Sequence, residues 1–201
     1  MRSRVKGGAK NQLYQTSMRA FTLFILIGLL LGCNSDPMPD MERTFIIQSG
    51  DHCDKLQPIL PLHARELEGS IYLDQSMVAQ EGFISKIVGI SGIDNHKNSA
   101  RIGWVTRGDL IELVSYVYVE GHCPQSDSEL RQSLGLYSPP VEVSYKISYS
   151  DHTWHFQLNE NMLDVPGKMP AVRYISMPWY GGHPSAPHDI KVQVSYKFNQ
   201  L

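Results

Sequence analysis

Residues 141–158 read VEVSYKISYSDHTWHFQL, and this stretch decides the fold. Val141, Val143, Tyr145, Ile147 and Tyr149 alternate with Glu142, Ser144, Lys146 and Ser148. Ser150-Asp151-His152 supplies turn formers, after which Trp154, Phe156 and Leu158 alternate with His155 and Gln157. A period of two places one set on a core face and the other in water, so the stretch predicts an antiparallel hairpin. His155 falls on the wet side beside Lys146 or Ser148, and His152 and His155 are expected to be solvated.

The same grammar extends in both directions. Towards the C-terminus, Asn159-Glu160-Asn161 is a second turn and residues 172–177 form a strand. Residues 179–189, WYGGHPSAPHD, form a loop, and residues 190–198 close with Ile190, Val192, Val194, Tyr196 and Phe198 alternating with Lys191, Gln193, Ser195 and Lys197. Towards the N-terminus, residues 110–120 are apolar on both faces, which marks a central strand covered on both sides. Arg107-Gly108-Asp109 joins that strand to another over 99–105, and Ser91 to Asn98 is dense in turn formers. Residues 83–90, 69–78 and 44–48 read as further strands, 51–66 as irregular, and 126–129 as one short helical turn. Helical periodicity is absent at any length. The expectation is an all-β, antiparallel two-sheet sandwich of about eight to ten strands.

The amino end follows different rules. Residues 1–20 carry Arg2, Arg4, Lys6, Lys10 and Arg19 and no acid, and residues 21–31, FTLFILIGLLL, carry no charge. That run has the length of a signal-peptide core and is too short to span a roughly 30 Å bilayer interior. Leu30-Leu31-Gly32-Cys33 resembles the lipobox of bacterial lipoproteins. The resemblance implies cleavage before Cys33, acyl chains on Cys33 as the membrane partner, and a lipid-anchored place in the bacterial cell envelope; two or more chains hold a protein stably. Asn34 after the cysteine resembles the pattern for an outer-membrane destination. Met18 is an alternative start. The expected organisation is a signal peptide over 1–32, lipidated Cys33 with a tether over 33–43, and a sandwich domain over 44–201.

The whole chain has 18 basic and 20 acidic side chains. Without its leader it has 13 and 20, a charge of about −7, and no basic stripe that would suggest nucleic acid. Cys53 and Cys123 remain as an even pair in an oxidising space, and a disulfide between them is expected. It would close a loop of about 70 residues and contribute roughly 4 kcal/mol in the chain-entropy account. Two separate thiols are the alternative.

Three segments carry a resemblance within the mature part: NHKNSARIGW from Asn95, YKISYSDHTWHFQLNEN from Tyr145, and WYGGHPSAPHDIKVQV from Trp179. Together they resemble an uncharacterised group of bacterial β-sandwich proteins of the concanavalin-like, LamG-like jelly-roll kind. The resemblance implies a fold and no activity.

Two loops hold candidate chemistry. His96, Asn98, Arg101 and Trp104 combine an imidazole, an amide, a guanidinium and an aromatic face, which are the parts of a sugar site. Equally, Asn98 could serve a turn, Arg101 an internal pair and Trp104 the core. In the second loop, Gly181-Gly182 permits close approach, while Trp179, His183, His188 and Asp189 could bind a ligand. Asp189 with loop carbonyls is where Ca²⁺ could be held, although no cofactor is expected and the two histidines have no recognised metal spacing. Nucleophile motifs such as G-x-S-x-G and H-E-x-x-H are absent, and no serine set with a plausible base appears, so a nucleophile-and-base enzyme is not expected. The functional expectation is a non-catalytic, lipid-anchored sandwich that binds carbohydrate or another envelope component. The alternative is a glycan hydrolase or lyase built on His96, Arg101 and His188.

Overall fold

The computed structural model describes residues 41–122, 127–182 and 184–197. Cys33, the leader, most of the tether, Cys123 and His183 lie outside these residues. Among the described residues twelve strands form two six-stranded sheets. In chain order they are β1 (Met41–Ile47), β2 (Leu60–Pro61), β3 (Glu66–Leu73), β4 (Ser85–Ser91), β5 (Ser99–Arg107) and β6 (Leu110–Tyr118). These are followed by β7 (Ser133–Tyr137), β8 (Val141–Ser150), β9 (Thr153–Leu158), β10 (Asn161–Pro166), β11 (Tyr174–Ser176) and β12 (Ile190–Tyr196). The first sheet has the order β1-β12-β3-β8-β9-β10 and the second β2-β11-β4-β5-β6-β7. Every pairing is antiparallel.

The hairpin read from sequence is β8 and β9, with Ser150 opposite Thr153. Asp151 and His152 occupy its two-residue turn at φ 47° and 60°, the left-handed values whose twist suits a tight hairpin. The strand expected at 69–78 is β3, which begins earlier and ends at Leu73. Residues Gln75–Met77 instead form a 3₁₀ turn whose N-cap, Asp74, accepts from Ser76 N–H. Likewise β1 starts at Met41, three positions ahead of the expected domain boundary.

Alternation fixes which side chains meet between the sheets. Ile71, Val143, Ile147, Trp154, Phe156, Leu158, Val192 and Val194 come from the first sheet; Ile90, Ala100, Ile102, Trp104, Ile111, Leu113 and Val117 come from the second, and all share one buried cluster. Trp104 corrects the reading of residue 104 as a ligand contact. It is 1 % exposed, donates its indole N–H to the Met77 carbonyl at 3.2 Å and packs 6.3 Å from the Tyr180 ring. Arg101 and Trp104 differ in parity along β5, so if one faces outward the other must face in.

The expected Cys53–Cys123 disulfide finds no support: Cys53 is a free, half-buried thiol, and Cys123 lies outside the described residues. Its backbone surroundings are committed to the 180–186 segment, through Tyr180 N–H to His52 O and Ala186 N–H to Asp51 O. The chain leading to residue 123 is instead tied to Lys97 through Gly121 N–H. Burial, and then Asp51 and Asp54, push the Cys53 thiol pKa up, which keeps it protonated and slow to react.

Truncating Trp104 to Ala should cost about 3–5 kcal/mol, the usual range for a buried aromatic. Urea unfolding of Trp104→Ala checks this, and a loss below about 1 kcal/mol would contradict the placement.

Candidate functional site

The outer face of the second sheet is built by the residues that the core does not take. Arg101 on β5 stands opposite Tyr116 on β6 and Gly89 on β4, and Gly89 stands opposite Ser176 on β11. One rung along, Ser99 is flanked by Tyr118 and Ser91, and Ser91 by Tyr174. Two rows of alternate residues therefore cross four strands on one face. Gly89 is required beneath them: a Cβ there would run into the Ala100 carbonyl and reach 2.9 Å from Arg101 Cγ.

Three irregular segments wall this face. Residues 57–59 lie on one side and Asn95 and His96 on another. Trp179 to Gly182 close a third, with a cleft of about 580 Å³ between them. Trp179 is fixed by reciprocal backbone bonds with Lys86, at 2.8 and 2.9 Å, and Gly181 N–H donates to Ser85 Oγ at 2.9 Å. The Trp179 ring stacks on His52, with centroids 5.4 Å apart and planes 9° apart. It is still 41 % exposed, so it offers a held aromatic surface at the rim.

Arg101 is the centre of the cleft and only 5 % exposed. Its Nε donates to Ser91 Oγ at 3.1 Å and its Nη2 to the Asn95 carbonyl at 2.7 Å. That carbonyl also accepts from Ser99 Oγ at 2.9 Å, which ties the loop to β5. Among the described residues no carboxylate pairs with Arg101. Burial lowers its pKa, but a guanidinium remains protonated in proteins. A desolvated cation is thus surrounded by neutral groups: its guanidinium carbon lies 6.0 Å from the Tyr118 ring centre. Tyr118 meets Tyr116 edge-on at 5.7 Å and His96 at 5.2 Å, and Lys86 Nζ lies 5.1 Å from the Tyr116 ring centre. The described lining includes Lys86, Arg101 and His96 and no Asp or Glu.

Of the residues singled out from sequence, His96, Arg101 and Trp179 line this cleft together. Asn98 does not line it; its Oδ1 accepts from Glu120 N–H at 3.0 Å and organises the loop. His188 and Asp189 serve elsewhere. His188 Nε2 lies 2.8 Å from the Ser76 carbonyl, and Asp189 Oδ1 accepts from Ser49 N–H at 2.9 Å. Among the described residues no cluster of three or more His, Cys, Asp or Glu could hold a metal. Lys86, Tyr116, Tyr118 and Tyr174 were not singled out. Their signal was strand parity combined with register, since each sits on Arg101's side of its strand.

A second groove, of about 620 Å³, crosses the outer face of the first sheet over Glu42, Glu68, Lys146 and Gln157. There Lys146 is balanced by Glu66 at 2.8 Å and Glu68 at 3.9 Å, unlike the uncompensated charge at Arg101.

No known sequence family matches the chain, and no curated protein sequence matches it. Solved structures do resemble it. An alginate lyase from Alteromonas sp. 272 superposes with a TM-score of 0.50 at 9 % identity, covering 83 % of this chain and 89 % of that one. A polysaccharide lyase of family 18, aly-SJ02, gives 0.50 at 11 % identity, covering 83 % and 92 %. At such identity the likeness shows the fold, a concanavalin-like β-sandwich of two antiparallel sheets.

Burying an unpaired guanidinium costs stability that its two hydrogen bonds only partly offset. Arg101→Met should therefore leave the unfolding free energy within about 1 kcal/mol of the parent, as read from urea denaturation. A loss of 3 kcal/mol or more (the range for breaking a buried ion pair) would mean that Arg101 has an internal anionic partner.

Proposed function

We propose that this chain binds an anionic polysaccharide along the outer face of the second sheet. The observation that carries the reading is Arg101: a buried cation that, among the described residues, has no carboxylate partner and opens into a cleft lined by Lys86 and His96 and by no acid. A carboxylate of a uronic acid chain matches a guanidinium fork in shape and charge. Tyr174, half-buried at the cleft, offers a hydroxyl and a ring edge to the remaining sugar surface, and Trp179 offers a stacking face. The alginate and polysaccharide lyases that share the fold support a glycan as the ligand. Attachment through acyl chains on Cys33, with an outer-membrane location, is part of the proposal and would present the cleft to polysaccharide outside the cytosol.

A hydrolase is disfavoured, because glycoside hydrolysis calls for two carboxylates across the scissile bond and the described lining has none. A lyase remains the second reading, favoured by the imidazole of His96 and the phenol of Tyr118 standing next to one another beside Arg101.

Isothermal titration with oligomers of alginate, and with a neutral β-glucan as control, tests the proposal. Binding should be specific to the acidic oligomers and weaken with added salt. It should fall about ten- to hundredfold in Arg101→Met, the loss of a charged hydrogen bond. Equal binding of the neutral glucan, or no binding of either, would contradict the proposal. The appearance of ultraviolet-absorbing unsaturated ends during incubation would select the lyase reading.

A further inference from the structure

The outer face of the first sheet places three side chains in line across three strands. Ser148 on β8, His155 on β9 and Asp164 on β10 share one rung. His155 leans one step along β8, so that its Nε2 lies 2.8 Å from Ser150 Oγ, while its Nδ1 lies 2.7 Å from Asp164 Oδ1. With the Nδ1 proton donated to Asp164, the Nε2 lone pair faces the serine hydroxyl. This is the nucleophile, base and orienting carboxylate relation by which a serine is activated.

The surroundings fit a reactive rather than a merely ornamental serine. Ser150 is exposed, and it is the last residue before the tight turn, which is tethered from outside by Gly167 N–H to the His152 carbonyl at 2.9 Å. The amides of Asp151 and His152 have no backbone partner among the described residues. They follow the nucleophile in the chain, and unbonded backbone donors next to a nucleophile are the groups that take up charge from a developing oxyanion.

We propose that Ser150, His155 and Asp164 form an acyl-transfer site for small carboxylic esters, separate from the Arg101 cleft and independent of the glycan reading. Ser150 Oγ bonds to the ester carbonyl carbon as its proton passes to His155 Nε2. The carbon–oxygen bond to the alcohol then breaks, and the alcohol leaves with that proton. Water, deprotonated by His155, cleaves the acyl-serine to release the carboxylate and restore the hydroxyl. Ser150 and His155 are the catalytic residues, and Asp164 is a positioning residue.

The test uses the intact protein with a fluorophosphonate probe and with p-nitrophenyl acetate. The expected result is a fluorophosphonate adduct on the peptide that carries Ser150. Ester turnover should also be about tenfold or more above that of Ser150→Ala and His155→Gln, at the low end of what a positioned general base supplies (about 10²–10⁴). All three side chains are on the solvent face, so Ser150→Ala should melt with the parent and the comparison is between folded proteins. Asp164→Asn should lower kcat with KM unchanged, and Asp164→Glu should recover part of it. Absence of the adduct, or turnover that Ser150→Ala leaves at the parent rate, overturns the assignment.

Discussion

The constraint on which the rest depends is that β5 and β6 are removed from water on both faces. Eight of the nine residues of β5 are buried, as are seven of the nine of β6. On the inner side this is ordinary, because Ala100, Ile102, Trp104, Ile111, Leu113 and Val117 pack against the opposite sheet and the hydrophobic effect holds them there. On the outer side the buried groups include Arg101, Tyr116 and Tyr118, covered by loops instead of by a sheet. A charge in that position is expensive. The sheet tolerates it because Ser91 and the Asn95 carbonyl bond the guanidinium and because aromatic faces surround it. The segments that cover the arginine are also the segments that wall the cleft.

Most of the fold was legible in the residues themselves. Val141 to Leu158 and Ile190 to Tyr196 alternate cleanly because each has one face in the core and one in water, and the structure forms strands there. The apolar run of β6 was readable as an interior strand for the complementary reason. Boundaries were harder where a polar cap competed with the ladder. Asp74 ends β3 by drawing Ser76 N–H into a 3₁₀ turn, and nothing in the period of residues 69–78 marks that switch. Short β2 and β11, two and three residues long, have no period to read; β11 is a strand because β4 offers an edge, and β2 because β11 does.

The site was legible only in part, and the reason is the same throughout. His96, Arg101 and Trp179 stand out as residue types in loops or next to them. Trp104 was grouped with them by nearness in sequence, although its parity along β5 sends it inward. Lys86, Tyr116, Tyr118 and Tyr174 are brought to Arg101 by strand pairings whose register cannot be read from one strand alone. Ser150, His155 and Asp164 are another case: His155, expected like His152 to be solvated, joins a bonded row once β10 is laid beside β9. The two outer faces therefore carry unlike chemistry, a buried cation among aromatics on one and an exposed serine, imidazole and carboxylate on the other. The shared fold of the lyases accounts for neither.

The central claim is that the Arg101 charge is held in reserve for an anion from outside the chain. The most direct measurement is a ¹H–¹⁵N NMR titration with a hexuronate oligomer that follows the Arg101 side-chain Nε–H and the indole N–H of Trp179 and Trp104. Saturable shifts are expected at Arg101 and Trp179, with the buried Trp104 indole, which faces the core, moving least. No shift at Arg101, or shifts gathered on β8 to β10 of the other sheet, would contradict it.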